Sequence, residues 1–227
     1  MFFFDPTYIL VIIGGLICIA ASHSMKSTFA KYAKVRSNTG MTGAEVAERI
    51  LSMNGIHDVT VQHVQGQLND HYDPRNKTLS LSDATYGSQS VAAIGVAAHE
   101  CGHAMQHNEG YMPLTIRGSL VPVANFGSMA AWPFIILGLF LNNASSMMFI
   151  NIGIILFSAA VLFQFVTLPV ELNASKRAEL ALSGLVSGDE VAAAKKVLSA
   201  AALTYIASAA AMVLQLLRIF MLRNNRR

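Results

Sequence analysis

Long apolar runs dominate the pattern of hydrophobic and polar positions along this chain. Four of them cover residues 8–22, 120–141, 147–169 and 200–222, and the first can be extended back to Phe2. A membrane-spanning helix needs about 20 mostly apolar residues, and at a rise of 1.5 Å per residue each of the last three runs covers about 30 Å. The pattern therefore predicts about four transmembrane helices.

The segments between these runs have the patterns of a small α+β region. Thr42 and Glu45 have the spacing of a capping box, and so do Ser187 and Glu190. Alternating apolar positions and turn residues supply the strand signals. The predicted elements are helices over residues 43–54, 91–107, 171–183 and from 188 onward, and strands over residues 59–63, 68–72 and 78–81.

The composition narrows the class of protein further. Of the 227 residues 53% are hydrophobic and 13% are charged, where a soluble domain has roughly 25% charged residues. This excludes a disordered chain, and two cysteines exclude a disulfide-stapled domain. The net charge of +3 comes from basic residues beside the apolar runs, which indicates membrane topology rather than nucleic-acid binding.

The positive residues also predict an orientation in the membrane. Most of them lie in two regions, between the first and second runs and between the third and fourth runs. Lysine and arginine favour the cytoplasmic side, so both regions are expected there, with the N-terminus outside. The C-terminus disagrees, because a complete fourth span would place Arg223, Arg226 and Arg227 outside.

Residues 99–103 read His-Glu-Cys-Gly-His and fall in a predicted buried helix. His99 and His103 are one turn apart on one helix face, so their imidazoles can hold one metal ion. Glu100 can accept a proton from a metal-bound water. Zinc suits two imidazoles and an oxygen ligand, whereas two plain core histidines would leave the Glu100 carboxylate buried without a nearby cation. The motif therefore predicts a catalytic zinc site.

The third ligand has two candidates. His107 continues the i, i+4 series, but on a continuous helix it lies about 11–12 Å beyond His99, whereas zinc–nitrogen bonds are about 2 Å long. Glu171 is the first charged residue after residues 118–170, and the expected topology places it on the same side as the histidines. Its carboxylate would supply the oxygen ligand that a zinc site needs beside the two imidazoles. The alternative interpretation of Glu171 is a solvated carboxylate at the start of a helix.

Several stretches make the chain resemble a known family over nearly its whole length. They are residues 70–74 (Asp-His-Tyr-Asp-Pro), 90–107 around the histidine motif, 168–171 (Leu-Pro-Val-Glu) with Ala174 and Ser175, 194–197 (Ala-Lys-Lys-Val) and 201–205 (Ala-Ala-Leu-Thr-Tyr). In these stretches the chain resembles the bacterial neutral zinc metallopeptidases, the YugP-like membrane proteases, and it is more distantly similar to the HtpX and prenyl-protein proteases. The resemblance implies a zinc peptidase in the bacterial cell membrane, with His99, His103 and Glu171 as ligands of one Zn2+ and Glu100 as base.

Two positions depart from the pattern of these families. An Asp often stands where this chain has Asn173, and in the distant relatives an Asp often stands where it has Ser175. A carboxylate normally orients a ligand histidine from the far side of the ring. That partner stays unassigned, and Asp70, Asp73 or a backbone carbonyl could serve. His107 is a further candidate for such an outer position.

Peptide hydrolysis passes through a tetrahedral oxyanion, which needs a hydrogen-bond donor beside the metal. His71, Tyr72 and Tyr111 are the candidates, and for each of them a packed or hydrogen-bonded structural role is an equally good interpretation. The hairpin before the motif offers an edge strand, expected at residues 78–81, along which an extended peptide could bind.

Together these patterns predict a mainly α membrane protein with about four transmembrane helices and a small α+β, zincin-like (gluzincin-type) catalytic region in the cytoplasm. The expected parts are an N-terminal anchor (1–24), the catalytic region (25–119), a transmembrane hairpin (120–169), cytoplasmic helices with the third ligand (170–199) and a C-terminal apolar helix (200–227). The expected function is a membrane zinc endopeptidase that cleaves membrane or membrane-proximal peptides and contacts the lipid bilayer but no nucleic acid. The alternative is a non-catalytic zinc-binding scaffold or adaptor, which would not need Glu100.

Overall fold

A computed structural model describes residues 5–141 and 145–225, and most of these residues are helical. The elements in chain order are α1 (Tyr8–Tyr32), α2 (Gly43–Met53), β1 (Thr60–Val64), β2 (His71–Asp73), β3 (Thr78–Ser82), α3 (Val91–Asn108), α4 (Met112–Phe140), α5 (Ser146–Ser183) and α6 (Gly188–Asn224). Residues 1–4, 142–144 and 226–227 lie outside the described residues. The expected extension of the first apolar run to Phe2 and the expected positions of Arg226 and Arg227 fall there.

The chain divides into two compact units, and the first contains the apolar parts of four helices. It consists of Met1–Ala21, Thr115–Leu168 and Thr204–Arg227. In the described part of the chain, α1, α4, α5 and α6 are long and apolar enough to cross a membrane, which confirms the prediction of four such helices. Many of their large apolar side chains are exposed, as lipid contact requires, among them Ile9, Leu16, Phe126, Phe140 and Ile155.

A charged pair joins the two ends of the first unit's sequence. The Arg218 guanidinium on α6 lies 3.5 Å from the Asp5 carboxylate and 4.0 Å from the centroid of the Tyr8 ring. The same two helices approach closely further along, because a Cβ on Gly14 would lie only 3.1 Å from the Ala211 Cα. Asp5 therefore compensates one of the arginines near the C-terminal end of the chain.

The second unit consists of Ser22–Leu114 and Pro169–Leu203, and it holds the sheet and the motif helix. The sheet has the strand order β1-β3-β2, with β3 parallel to β1 and antiparallel to β2. Helix α3 packs against α2, β2 and β3. The core between these elements is apolar, and its largest fully buried members include Val46, Ile50, Leu79, Leu81, Ile94 and Leu182.

Both predicted capping boxes form in the second unit. The Thr42 N–H donates to the Glu45 carboxylate over 2.7 Å, and the Glu45 N–H donates back to the Thr42 hydroxyl over 3.3 Å. Ser187 and Glu190 make the same pair of bonds over 3.2 and 3.4 Å. These contacts satisfy the free N–H groups of the first helical turn. They fix where α2 and α6 begin.

Two predicted elements differ from the structure. No separate helix begins at residue 171, because α5 runs without interruption through Pro169 to Ser183. The expected strand at residues 68–72 is shortened to β2, because Leu68 has a positive φ of 57° that belongs to a turn. Residues 78–81 lie in the central strand, so the free edges of the sheet belong to β1 and β2.

Candidate metal centre

Helix α3 presents the two motif histidines from a buried framework. The Ser90 hydroxyl caps the helix by accepting a hydrogen bond of 3.2 Å from the Ala93 N–H. The next two turns are almost wholly buried, which fixes the rotation of the helix. His99 and His103 then lie one turn apart on one face, and their ring centroids are 4.9 Å apart. The local sequence thus sets the direction of both imidazoles.

Helix α5 brings a carboxylate to the same point. Glu171 is 2% exposed, and its Oε2 lies 3.2 Å from the His99 Nε2 and 3.6 Å from the His103 Nε2. The two helices can approach this closely because position 102 has no side chain. A Cβ on Gly102 would lie 2.4 Å from the carbonyl oxygen of Ala174.

The separations of these three donor atoms fit a metal ion. The ligand atoms of His99, His103 and Glu171 all lie within 4.8 Å of one another. Two atoms bound tetrahedrally to zinc at about 2.0–2.1 Å are roughly 3.4 Å apart. The observed 3.2 and 3.6 Å bracket that value. The donor set, two imidazoles and a carboxylate, is also one that catalytic zinc sites use.

A neutral partner orients each histidine from the far side of its ring. The His103 Nδ1–H donates to the Gln106 Oε1 over 3.0 Å, and the Ser175 hydroxyl lies 3.2 Å from the His99 Nδ1. With its proton committed to Gln106, the His103 ring presents the lone pair of Nε2 to the Glu171 carboxylate. Two electron-rich atoms facing each other at 3.6 Å repel unless a cation lies between them or the ring takes up a second proton.

Gln106 also links the motif helix to α5. It is fully buried, and its Nε2 donates to the Val170 carbonyl over 2.8 Å and to the Asn173 Oδ1 over 2.9 Å. The Arg177 Nε donates to the same Asn173 oxygen over 2.7 Å. These hydrogen bonds therefore hold the part of α5 from Val170 to Asn173, which includes Glu171, against His103.

Sequence reasoning did not find Gln106, and it regarded Ser175 as a gap in a family pattern. The sequence did carry a signal, because Gln106 lies three residues after His103 and Ser175 lies four residues after Glu171, one helical turn in each case. The two aspartates that were candidates for orienting a ligand histidine, Asp70 and Asp73, have other partners. Asp70 accepts hydrogen bonds from the Ser82 N–H and hydroxyl, and Asp73 accepts from the Arg75 N–H and the Asn76 amide in the hairpin turn.

Glu100 is buried beside the cluster without belonging to it. It is 8% exposed, and burial raises the pKa of its carboxyl to about 7. The nearby His99 lowers this pKa, while the carboxylates of Glu171 and Asp70 raise it. A carboxyl with a pKa near neutrality can both accept and release a proton at the pH of a cell.

The remaining predicted site residues lie outside the three-donor cluster. The Tyr72 hydroxyl lies 2.8 Å from the His107 Nδ1, and both line a cavity of about 200 Å³ beside Asp58 and Lys77. Burial raises the pKa of Tyr72 to about 12, so its hydroxyl keeps its proton at neutral pH. Their roles in chemistry stay predictions.

His71 precedes α3 in the sequence, and Tyr111 follows it. His71 begins the edge strand β2, and its Nδ1 lies 2.9 Å from the Asn69 carbonyl oxygen. Tyr111 follows α3, and its ring centroid is 5.9 Å from the Arg177 guanidinium carbon. Arg177 is also paired with Glu109 over 2.8 Å. Tyr111 therefore belongs to the contacts that tie the end of α3 to α5.

Comparisons with known proteins also suggest zinc as the metal. The profile of a family described as "Putative neutral zinc metallopeptidase" matches residues 7–224. The chain is 48% identical over 209 residues to a Bacillus subtilis (strain 168) protein named "Putative membrane protease YugP", and the match covers 91% of this chain and 92% of that protein. No solved structure matches the chain significantly. On the extent of the profile match and of the identity, the chain belongs to this family of neutral zinc metallopeptidases.

Proposed function

We propose that this protein is a membrane-embedded zinc endopeptidase with a zincin-like, gluzincin-type catalytic region. The observation that carries the proposal is the convergence of three donor atoms within 4.8 Å beside a second buried carboxyl. Within the described residues the cluster has three protein donors, the number that catalytic zinc sites use, whereas structural sites usually have four. This difference favours an enzyme over a zinc-binding scaffold. The relative named as a membrane protease supports the same function.

His99, His103 and Glu171 would hold the zinc ion, through two Nε2 atoms and one carboxylate oxygen. Zinc bound there supplies Lewis-acid chemistry, because it polarises a carbonyl and lowers the pKa of a water to about 7. The chain's own contribution is to fix the donors. Gln106 and Ser175 hold the imidazoles, and they leave each Nε2 free to bind the metal.

Glu100 is the general base in this proposal. It accepts a proton from the attacking water and then passes it to the leaving amine. A pKa of about 7 suits both steps, because a general base works best when its pKa lies near the working pH. The same low-polarity surroundings that raise the pKa exclude bulk water from the carboxyl.

We place the substrate along β2 in an extended conformation. This strand packs against α3 and lies at an edge of the sheet, where backbone N–H and C=O groups can pair with a peptide. Of the candidate oxyanion donors, His71 has the best support, because it lies close enough to Glu100 to lower the pKa of that carboxyl. Tyr72 and Tyr111 are committed to His107 and Arg177.

We also propose the cytoplasmic side for the active site and membrane or membrane-proximal peptides as substrates. The support is the distribution of lysine and arginine between the apolar runs. The corresponding parts of the chain are the anchor (1–24), the catalytic region (25–119), the transmembrane hairpin (120–169), the ligand-bearing helices (170–199) and the last apolar helix (200–227).

The test compares the wild type with Glu100→Gln, which keeps the shape of the side chain and removes its basicity. Both proteins are purified in detergent, their zinc content is measured, and cleavage of casein and of a fluorogenic peptide is followed. We expect about one zinc per chain in both and cleavage by the wild type alone. The matched control is Glu48→Gln, an exposed glutamate on α2, which should cleave like the wild type. Zinc in both proteins with equal cleavage would remove Glu100 from the chemistry, and zinc with no cleavage by the wild type would favour the scaffold.

A further inference from the structure

A basic cavity of about 610 Å³ lies between α1 and α6, within the second unit. Its lining residues on α1 are spaced as one helix face, starting with Ser24, Thr28 and Lys31. Those on α6 follow the same rule and include Lys195, Lys196 and Ser199. None of these residues belongs to the metal centre or to the proposed substrate strand. The cavity is therefore a second candidate site with its own chemistry.

The charge of this cavity favours an anion. Three lysines and four hydroxyl-bearing residues line it, and the ammonium group of Lys31 lies 5.5 Å from the centroid of the Tyr32 ring. Lys195 is paired with Glu179 over 3.0 Å. Among the described residues, neither Lys31 nor Lys196 has a carboxylate within ion-pair distance. Ammonium and hydroxyl donors without compensating carboxylates are the groups that bind phosphate oxygens.

The position of the cavity along the two helices favours a lipid as the source of that phosphate. The apolar run of α1 ends near residue 22 and that of α6 begins near residue 200, so the lysines lie just outside both runs. Leu203 and Ala200 form an apolar wall of the cavity that continues into the apolar run of α6. A basic pocket between transmembrane helices at this level is the setting in which anionic headgroups bind. A soluble phosphate would not contact such a wall.

We propose that this cavity binds an anionic phospholipid, with the headgroup phosphate held by Lys31 and Lys196 and an acyl chain lying against Leu203. Such a lipid would bridge α1 and α6. That bridge matters for α1, because only 6% of its apolar 18-residue stretch is buried inside the protein. The lipid would supply contacts to the N-terminal helix that the polypeptide leaves open.

The experiment uses the full-length protein in a neutral detergent and dioctanoyl phosphatidylglycerol as the probe. Binding is measured by native mass spectrometry as a function of lipid concentration. The test variant is Lys31→Gln combined with Lys196→Gln. Lys26→Gln is the control, because Lys26 is an exposed lysine of the same helix that does not line the cavity. Dioctanoyl phosphatidylcholine and inorganic phosphate are the two comparison ligands, and zinc content reports that each variant is folded.

We expect the wild type and Lys26→Gln to bind phosphatidylglycerol equally, within about twofold. Each lysine near an anionic headgroup contributes about 1 kcal/mol, a factor of about 5.4 in affinity, so the double variant should bind about thirtyfold more weakly. Equal binding of phosphatidylcholine, or equal weakening by Lys26→Gln, would overturn the site. If inorganic phosphate binds the wild type as well as the lipid does at the same concentration, the ligand is a soluble anion and the lipid proposal is wrong. If the double variant binds the lipid like the wild type but no longer co-purifies with a protein that the wild type retains, the cavity binds a protein partner and not a lipid.

Discussion

Replacing Gly102 with Ala tests whether the close approach of α3 and α5 holds the metal site together. The new Cβ would lie 2.4 Å from the Ala174 carbonyl oxygen, whereas ordinary van der Waals contact begins at 3.4 Å. Both atoms belong to rigid helices, so the helices must separate by about 1 Å at this point. Gly102 adjoins His103, and Ala174 is three residues from Glu171. The displacement therefore falls on the donors themselves.

A separation of about 1 Å is large for a metal site, where ligand distances are held within about 0.2 Å. Loss of an outer partner alone typically costs 10- to 100-fold in metal affinity. We therefore expect Gly102→Ala to weaken zinc binding by at least that range. Overpacking should also lower the stability of the metal-free protein by about 1–3 kcal/mol. Competition with a fluorescent zinc chelator measures the first effect, and thermal unfolding in detergent measures the second.

Gly95→Ala is the matched control on the same helix. Its Cβ would lie 3.3 Å from the Ala194 Cβ, so the neighbour needs to move by only a few tenths of an ångström. Because this displacement is small, zinc affinity should stay within about twofold of the wild type. The change also replaces a poor helix former with a good one, so α3 itself should not be weakened. The reasoning fails if Gly102→Ala binds zinc as tightly as Gly95→Ala does, since α5 would then yield without carrying Glu171 away.

Two further changes probe the buried polar groups. Gln106→Leu should weaken zinc binding about 10- to 100-fold and lower the melting temperature, because it leaves the buried His103 Nδ1–H without its acceptor and removes the hydrogen bonds from Gln106 to Val170 and Asn173. Unchanged zinc affinity in the chelator competition would contradict this role. Glu100→Gln should alter the pH dependence of stability in EDTA-treated protein. The folded pKa of about 7 lies above the ordinary value of 4.5 for a glutamate, so the contribution of the neutral carboxyl to the free energy of unfolding is complete below pH 4.5 and is lost as the pH rises to 7. At 1.36 kcal/mol per unit this loss is about 3 kcal/mol in the wild type, and the variant should not show it in denaturant unfolding at pH 5 and pH 8. Parallel pH profiles for the two proteins would show that Glu100 does not carry a raised pKa.

The sequence predicts those features of this protein that depend on neighbours along the chain. The apolar runs predict the four long helices, because length and composition alone decide whether a helix can cross a bilayer. The spacing of His99 and His103 predicts a shared face, and the capping boxes predict where α2 and α6 begin. Each of these signals is complete within about 20 residues.

Other features depend on contacts between distant segments, and the sequence does not display them. The role of Gln106 requires Val170 and Asn173 to lie against α3, more than sixty residues further along the chain. The shortening of the strand at residues 68–72 depends on the left-handed conformation of Leu68, a residue type that local propensity does not assign to such a turn. The continuity of α5 through Pro169 was missed because proline usually marks a helix boundary.

The spacing of the donors has a consequence for how the protein is made. His99 and Glu171 are 72 residues apart, and the second and third apolar runs lie between them. A chain that is still being synthesised has two imidazoles but no carboxylate until residue 171 has been added. The complete donor set can therefore form only in chains whose apolar hairpin has already been synthesised, and a shorter nascent chain cannot bring the three donors together.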